Sequence, residues 1–297
     1  MVAPAFEYVA AGSYDEAVRV LAATSEAKIL AGGQSLMPML NLRLAHPELL
    51  IDINLADQRQ PSVDGGLLRL PALTRHRVLL SHDLVRRHCP LLAEAVRHVG
   101  NVRVRNRGTV GGSLAHADPT SEIGCCALAT GARVVARGPD GDRTVPASEL
   151  FAGYWTTTLA ESEIITDVLI PVARPRQGWS FHEMVRRTSD FAIVAVAALI
   201  VLDERTDTIA AARVALAGVA DRVILAAPQL SGQLIGSTAD EDLGAAADEI
   251  AASLAPPDDV HASGAYRRRL ARVLTARALR QARARAAGAA GAAGAAP

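Results

Sequence analysis

Two stretches built on one plan constrain this chain more than any other feature: Ala31-Gly32-Gly33-Gln34-Ser35-Leu36 and Thr109-Val110-Gly111-Gly112-Ser113-Leu114-Ala115-His116-Ala117-Asp118-Pro119-Thr120-Ser121-Glu122. Each places two adjacent glycines after a short apolar lead and before a small polar side chain. Such pairs let the backbone take φ > 0 and approach a ligand closely, and N–H groups exposed there suit a phosphate. In the later stretch Asp118 is placed to cap a helix whose first residue is Pro119, because proline has no N–H to leave unpaired. A helix starting there would aim its positive end at the glycine turn. One Gly-Gly pair is ordinary turn chemistry, but two alike predict a single site made from two loops. Neither loop is a Walker loop or a Rossmann fingerprint. Lys28 is the only lysine, so no lysine-cradled triphosphate site is offered.

The surrounding pattern puts the first loop on the rim of a sheet. A strand is expected over 6–9, and a helix over 14–23, where Ser13 and Glu16 form a capping box. A strand over 28–30 leads into the glycines. Leu36, Met37, Leu40 and Leu44 make a helical stripe, and the unbroken apolar run 49–53 reads as a buried strand. Further on come a strand over 67–70 and helices over 76–88 and 91–99, with Arg86, Arg87 and His88 on a solvated face. The alternate arginines 103, 105 and 107 read in isolation as an edge strand with its charges outward. Arg105 or Arg107 is available to counter phosphate charge, or faces solvent. A helix over 119–130, a hairpin over 133–145 turning at 138–142, and a strand over 163–170 complete the first part.

Pro171 to Gly178 reads as a linker, after which the pattern changes. Strands are expected over 181–185, 191–202 and 209–217, the last two joined as an antiparallel pair. Helices follow over 223–235, 240–254 and 263–285, the last with its leucines on the sheet and its arginines outside. The Ala/Gly-rich end, 286–297, has little to bury and reads as a disordered tail. The expected division is therefore 1–176, 177–285 and 286–297.

Other chemistries are disfavoured by count and charge. With 31 basic and 31 acidic residues the chain offers no general field for nucleic acid or membrane. No run of 18 apolar residues and no basic leader occurs, so neither an integral membrane segment nor a signal peptide is expected, and a cytoplasmic location is. Cys89, Cys125 and Cys126 are too few for an iron–sulfur cluster, which needs about four thiolates, and read as small buried hydrophobes. The eight histidines show no metal spacing.

At this point the chain resembles a family, the FAD-binding medium subunits of molybdenum hydroxylases, which include xanthine dehydrogenase and aerobic carbon monoxide dehydrogenase. The resemblance runs from about Phe6 to about Arg280. It is carried by Ala31–Leu36 with Pro38 and Leu42-Arg43, by Leu50-Ile51-Asp52-Ile53-Asn54, by Val104–Ser113 and the run to Glu122, and by Arg186-Arg187 followed by Asp190-Phe191-Ala192. It implies an α+β fold: a two-part FAD-binding domain of the vanillyl-alcohol-oxidase-like class, then a smaller domain of three antiparallel strands and helices. It also implies FAD held at its diphosphate by Ala31, Gly32, Gly33, Gln34, Ser35 and Leu36 and by Thr109, Gly111, Gly112 and Ser113. Glu122 would stand near the ribose with Asp118 in the same wall, and Leu169 or Ile170 at a ring edge. Val99 replaces an aromatic ring that some relatives stack on the flavin. Glu183 stands near a lysine of many relatives, which leaves Arg186 or Arg187 to supply any cation.

The resemblance further implies a molybdenum-binding large subunit and an iron–sulfur small subunit, arranged as a dimer of heterotrimers, with no catalytic residue or metal on this chain. Two rival readings stand beside it: a stand-alone flavin oxidoreductase, and a structural subunit that has lost FAD.

Overall fold

A computed structural model describes residues 3–227 and 232–293. The chain opens with β1 (Glu7–Ala10), α1 (Tyr14–Ala23), β2 (Ala27–Leu30), α2 (Leu36–Asn41) and β3 (Leu49–Asp52). The three strands form a parallel sheet in the order β1-β3-β2. β3 lies between its neighbours and is buried, as its unbroken apolar run requires. Ser13 Oγ accepts from Glu16 N–H at 3.1 Å, while the Glu16 carboxylate reaches past the cap to Gly12 N–H at 2.7 Å.

Next come β4 (Ser62–Asp64), β5 (Leu67–Pro71), α3 (His76–Ser81), α4 (Asp83–His88), α5 (Pro90–Ala95), α6 (Val102–Arg107), α7 (Val110–His116) and α8 (Glu122–Thr130). They are followed by β6 (Arg133–Gly138), β7 (Gly141–Pro146), α9 (Ala147–Leu150), β8 (Phe151–Gly153), β9 (Thr156–Thr157) and β10 (Ile164–Pro171). A second sheet takes the order β4-β5-β10-β6-β7, and β8 pairs with β9. Residues 102–107 are thus a helix, not the expected edge strand. Asn101 Oδ1 accepts the N–H groups of Arg103 and Val104 at 2.9 and 3.2 Å, so the cap overrides the alternation of charge.

The last part holds β11 (Gln177–Val185), β12 (Ala192–Leu202), β13 (Ile209–Ala217), β14 (Ile224–Leu225), α10 (Asp240–Ser253) and α11 (Gly264–Ala293). Its antiparallel sheet runs β11-β12-β13-β14, four strands where three were expected. Ile224 and Leu225 pair with Leu216 and Ala215 where a helix over 223–235 was expected; residues 228–231 of that stretch lie outside the described residues. β12 is apolar throughout because both its faces are covered. Ala195, Ala197 and Leu199 join the core that contains α8, whereas Val194, Val196, Ala198 and Ile200 join the core under α10 and α11.

Helix α11 corrects two expectations. It continues to Ala293 where a disordered tail was expected from 286; alanine is the best helix former, and Ala286 is fully buried. The expected tail's last four residues, 294–297, lie outside the described residues. A Cβ at Gly178 would strike the backbone of Ala282 and Ala286, which shows how closely β11 and α11 pack. Nor do all of its arginines face out. Arg267 is buried, donating to the carbonyls of Ile193 and Gly218 at 2.5 and 3.0 Å and pairing with Asp259 at 2.6 Å.

Candidate functional site

The first glycine segment leaves β2 at the rim of the parallel sheet, and Gly33 takes φ +70°, which only glycine adopts without strain. Gly32 is needed for a different reason. A Cβ there would meet the Arg107 carbonyl and lie 2.9 Å from Gly108 Cα, so two segments 75 residues apart share one contact. Asn54 ties the loop down. Its Nδ2 donates to the Ala31 carbonyl at 2.8 Å and to Asp52 Oδ1 at 2.6 Å, and its Oδ1 accepts from Arg75 at 2.5 Å. Arg75 also donates to the Arg107 carbonyl, and Tyr8 donates to Asp52 at 2.8 Å. Desolvation opposes ionisation of Asp52, but the bonds from Asn54 and Tyr8 and the charge of Arg107 outweigh it and hold the carboxyl below its usual range.

Beside this loop lies a cleft of about 490 Å³ lined by Leu30, Gly32, Gly33, Gln34, Met37, Pro38, Asn41 and Arg107. That is within the size range of cofactor sites. Among the described residues nothing accepts from the N–H groups of Gly32, Gly33, Gln34 or Ser35. The residues present therefore fit an anionic group laid along the loop. Ala31, Ser35 and Leu36 flank the lining.

The second glycine pair differs from its expectation. Thr109 caps α7, its Oγ1 accepting Gly112 N–H at 3.1 Å, so Gly111, Gly112 and Ser113 lie in a helical first turn and not in a loop at φ > 0. The N–H groups of Val110 and Gly111 go to the Thr74 and Ala72 carbonyls. Those amides are spent within the fold. Gly111 is required because a Cβ would come within 2.5 Å of Ala72 Cβ; at Gly112 it would come within 2.7 Å of Thr109 Oγ1 and 3.9 Å of Ala31 Cβ. Gly111 thus packs against Ala72 and Gly112 lies near Ala31, while the free amides belong to the first loop.

His76 pins this junction. Its Nε2 donates to the Thr109 carbonyl at 3.0 Å and lies 3.0 Å from Ser113 Oγ, and its backbone N–H donates to the Gly108 carbonyl. Burial pushes the imidazole down to about 4, so it is neutral at pH 7. No sequence motif marks His76 or Arg75; the signal available for Asn54 was its place after the buried strand 49–53.

Asp118 does not cap a helix. Its Oδ1 accepts from Thr120 N and Oγ1 at 2.8 and 2.6 Å in a local turn, and α8 starts three residues after Pro119, capped by Ser121. Glu122 opens α8 partly buried; desolvation first, then the charges of Glu183 and Asp118, push its carboxyl up to about 7. Glu183 is buried against His98, 3.1 Å away, while Arg186 and Arg187 are exposed. Glu183 is thus partnered by His98, whose pKa that carboxylate raises. Val99 is buried in the core. Leu169 and Ile170 are buried in β10, and Ile170 faces Val110 and Leu114 under α7; neither lines the cleft beside the first loop. The three cysteines are free and buried, and burial pushes Cys89 and Cys125 up to about 12.

Two family models cover the chain: an FAD-binding domain found in molybdopterin dehydrogenases matches residues 4–173, and the C-terminal domain of carbon monoxide dehydrogenase flavoproteins matches 179–282. The medium chain of carbon monoxide dehydrogenase from Hydrogenophaga pseudoflava is 37% identical over 287 residues, covering 96% of this chain and 99% of the relative. A solved structure of that organism's carbon monoxide dehydrogenase, lacking the Mo-pyranopterin moiety of its cofactor, superposes with a TM-score of 0.92 over 96% of this chain and 99% of its own, at 37% identity. Quinoline 2-oxidoreductase from Pseudomonas putida 86 gives 0.90 at 34% identity, covering 98% of this chain and 100% of its own.

Proposed function

The chain belongs to the FAD-binding medium-chain family of molybdopterin dehydrogenases, and from that premise we propose that it is the electron-transfer subunit of a molybdenum hydroxylase complex. Its FAD would take electrons from two-iron two-sulfur clusters on a small partner chain and pass them to an external acceptor, the substrate being oxidised at molybdenum on a large partner chain. The observation that carries this reading is the cleft beside Gly32 and Gly33, with four backbone N–H groups free and the loop clamped by Asn54 and Arg75.

The chain's own work is to bind and orient. Gly33 makes the turn at positive φ that carries the loop along the cleft, Asn54 fixes the carbonyl of Ala31, and Gly111 and Gly112 leave room for α7 to pack close to Ala72 and Thr109. Thr109 and Ser113 support this wall through His76 and the helix cap. Asp118, in the turn before α8, and Glu122, its first residue, are candidate contacts to the sugar; Ile170 backs α7 from β10, and Leu169 is its neighbour on that strand. The proposed FAD-binding part is 1–176 and the second part 177–285, within a dimer of heterotrimers. A cytoplasmic location accords with three free, buried thiols. No helix among the described residues is long and apolar enough to cross a membrane.

The test is an absorption spectrum of the purified chain, with the released chromophore identified by mass, followed by mixing with substrate. About one FAD per chain, no iron–sulfur bands and no reduction by substrate until partner chains are added supports the reading. Rapid reduction in the isolated chain points to a stand-alone oxidoreductase; no uptake of FAD points to a structural subunit.

A further inference from the structure

The helical form of residues 102–107 separates arginines that an edge strand would have set on one side. Arg105 folds back, donating to the carbonyls of Val99 and Gly100 at 3.0 and 2.7 Å. Arg107, at the other side and the helix end, lines the cleft together with Gly32, Gly33 and Gln34. Among the described residues no carboxylate lies within ion-pair distance of it. Asp52, the acid whose charge it feels, is engaged with Tyr8 and Asn54. Arg75 is spent on Asn54 and on the Arg107 carbonyl. That bond and the Gly32 contact fix the backbone from which the Arg107 side chain projects.

Arg107 thus has no ion-pair partner among the described residues and lines the same cleft as the loop's free amides, and guanidinium suits the paired oxygens of a diphosphate. Resting on the FAD reading above, we propose that Arg107 is the positioning residue that pairs with the dinucleotide's diphosphate and holds it against the first glycine loop.

The experiment uses the full chain stripped of flavin and titrated calorimetrically with FAD, ADP and riboflavin at two ionic strengths. Arg107→Gln should weaken FAD and ADP about ten- to a hundredfold, as expected for a charge-assisted pair, and leave riboflavin and the thermal midpoint unchanged. The salt dependence of FAD binding should flatten in the variant, because one screened charge pair is gone. Arg107→Lys should fall between, keeping the charge without the fork. FAD and ADP binding within twofold of wild type, or an equal loss for all three ligands, would overturn the assignment. If riboflavin is too weak to detect in either protein, an unflattened salt slope overturns it instead. A folded wild-type chain that takes up neither FAD nor ADP removes the FAD reading and this assignment together; uptake by wild type with Arg107→Gln indifferent removes the assignment alone.

Discussion

Replacing Gly32 by alanine adds one methyl group where the structure leaves no room for it. The ideal Cβ lies 2.9 Å from Gly108 Cα and 3.0 Å from the Arg107 carbonyl carbon, with the Arg107 oxygen closer still. Carbon atoms in contact prefer about 3.5–4.0 Å, so the loop must retreat by roughly 0.5–1 Å. The obstacle is backbone, pinned by Arg75 and by the His76 bond to Gly108, and no side chain can swing away. Overpacking of this kind costs about 1–3 kcal/mol. At about 2–4 °C per kcal/mol for a chain somewhat shorter than this one, a loss of roughly 2–12 °C is expected. The same retreat draws the Gly32 and Gly33 amides away from the bound anion, so flavin affinity should fall at least about tenfold, the equivalent of one charged hydrogen bond. Gly12→Ala is the control: a Cβ there meets only Glu16 Oε2, at an ordinary 3.6 Å. Differential scanning fluorimetry and flavin titration of both variants decide the matter. A Gly32→Ala protein matching wild type within 1 °C and twofold in affinity would refute the close-approach argument.

Further outcomes follow from the buried charges. His76 has a folded pKa of about 4, against 6.5 for a free imidazole, so the unfolded chain takes up its proton first as pH falls. Stability present above pH 6.5 is then lost toward pH 4, by about 2 kcal/mol between pH 7 and pH 5. Denaturation curves of wild type and His76→Gln should differ in that slope, and equal slopes would count against a neutral buried His76. Glu122 has the opposite sense: its raised folded pKa of about 7 means that stability falls as pH rises from 4.5 to 7. Glu122→Gln should be more stable than wild type at pH 8 by about 2–3 kcal/mol and equal to it at pH 4; a variant no more stable at pH 8 would remove the desolvation argument. Arg267→Leu should cost about 3 kcal/mol in chemical denaturation, since it strands the Ile193 and Gly218 carbonyls and Asp259. A loss below about 1 kcal/mol would mean that water replaces the guanidinium.

What the amino-acid sequence determined by itself is local. Ser13 and Glu16 set the start of α1, the apolar run 49–53 demanded a buried strand, and the Gly138–Asp142 turn made the β6–β7 hairpin. The family resemblance rests on the same short-range patterns and implies one site for both glycine stretches; in the fold Gly32 lies close to Gly108, and Gly112 lies near Ala31. What the tertiary structure decided is the use each glycine is put to. The second pair reads like the first as sequence, yet Thr109 caps it into a helix and its amides go to the Thr74 and Ala72 carbonyls, partners more than 30 residues away. Alternating arginines look like a strand until Asn101 satisfies the first amides of a helix. An Ala/Gly tail looks unfoldable until a sheet supplies a surface for Ala286. In each case the deciding partner is distant along the chain, because capping and backbone satisfaction are settled by whichever group the fold brings within hydrogen-bond reach.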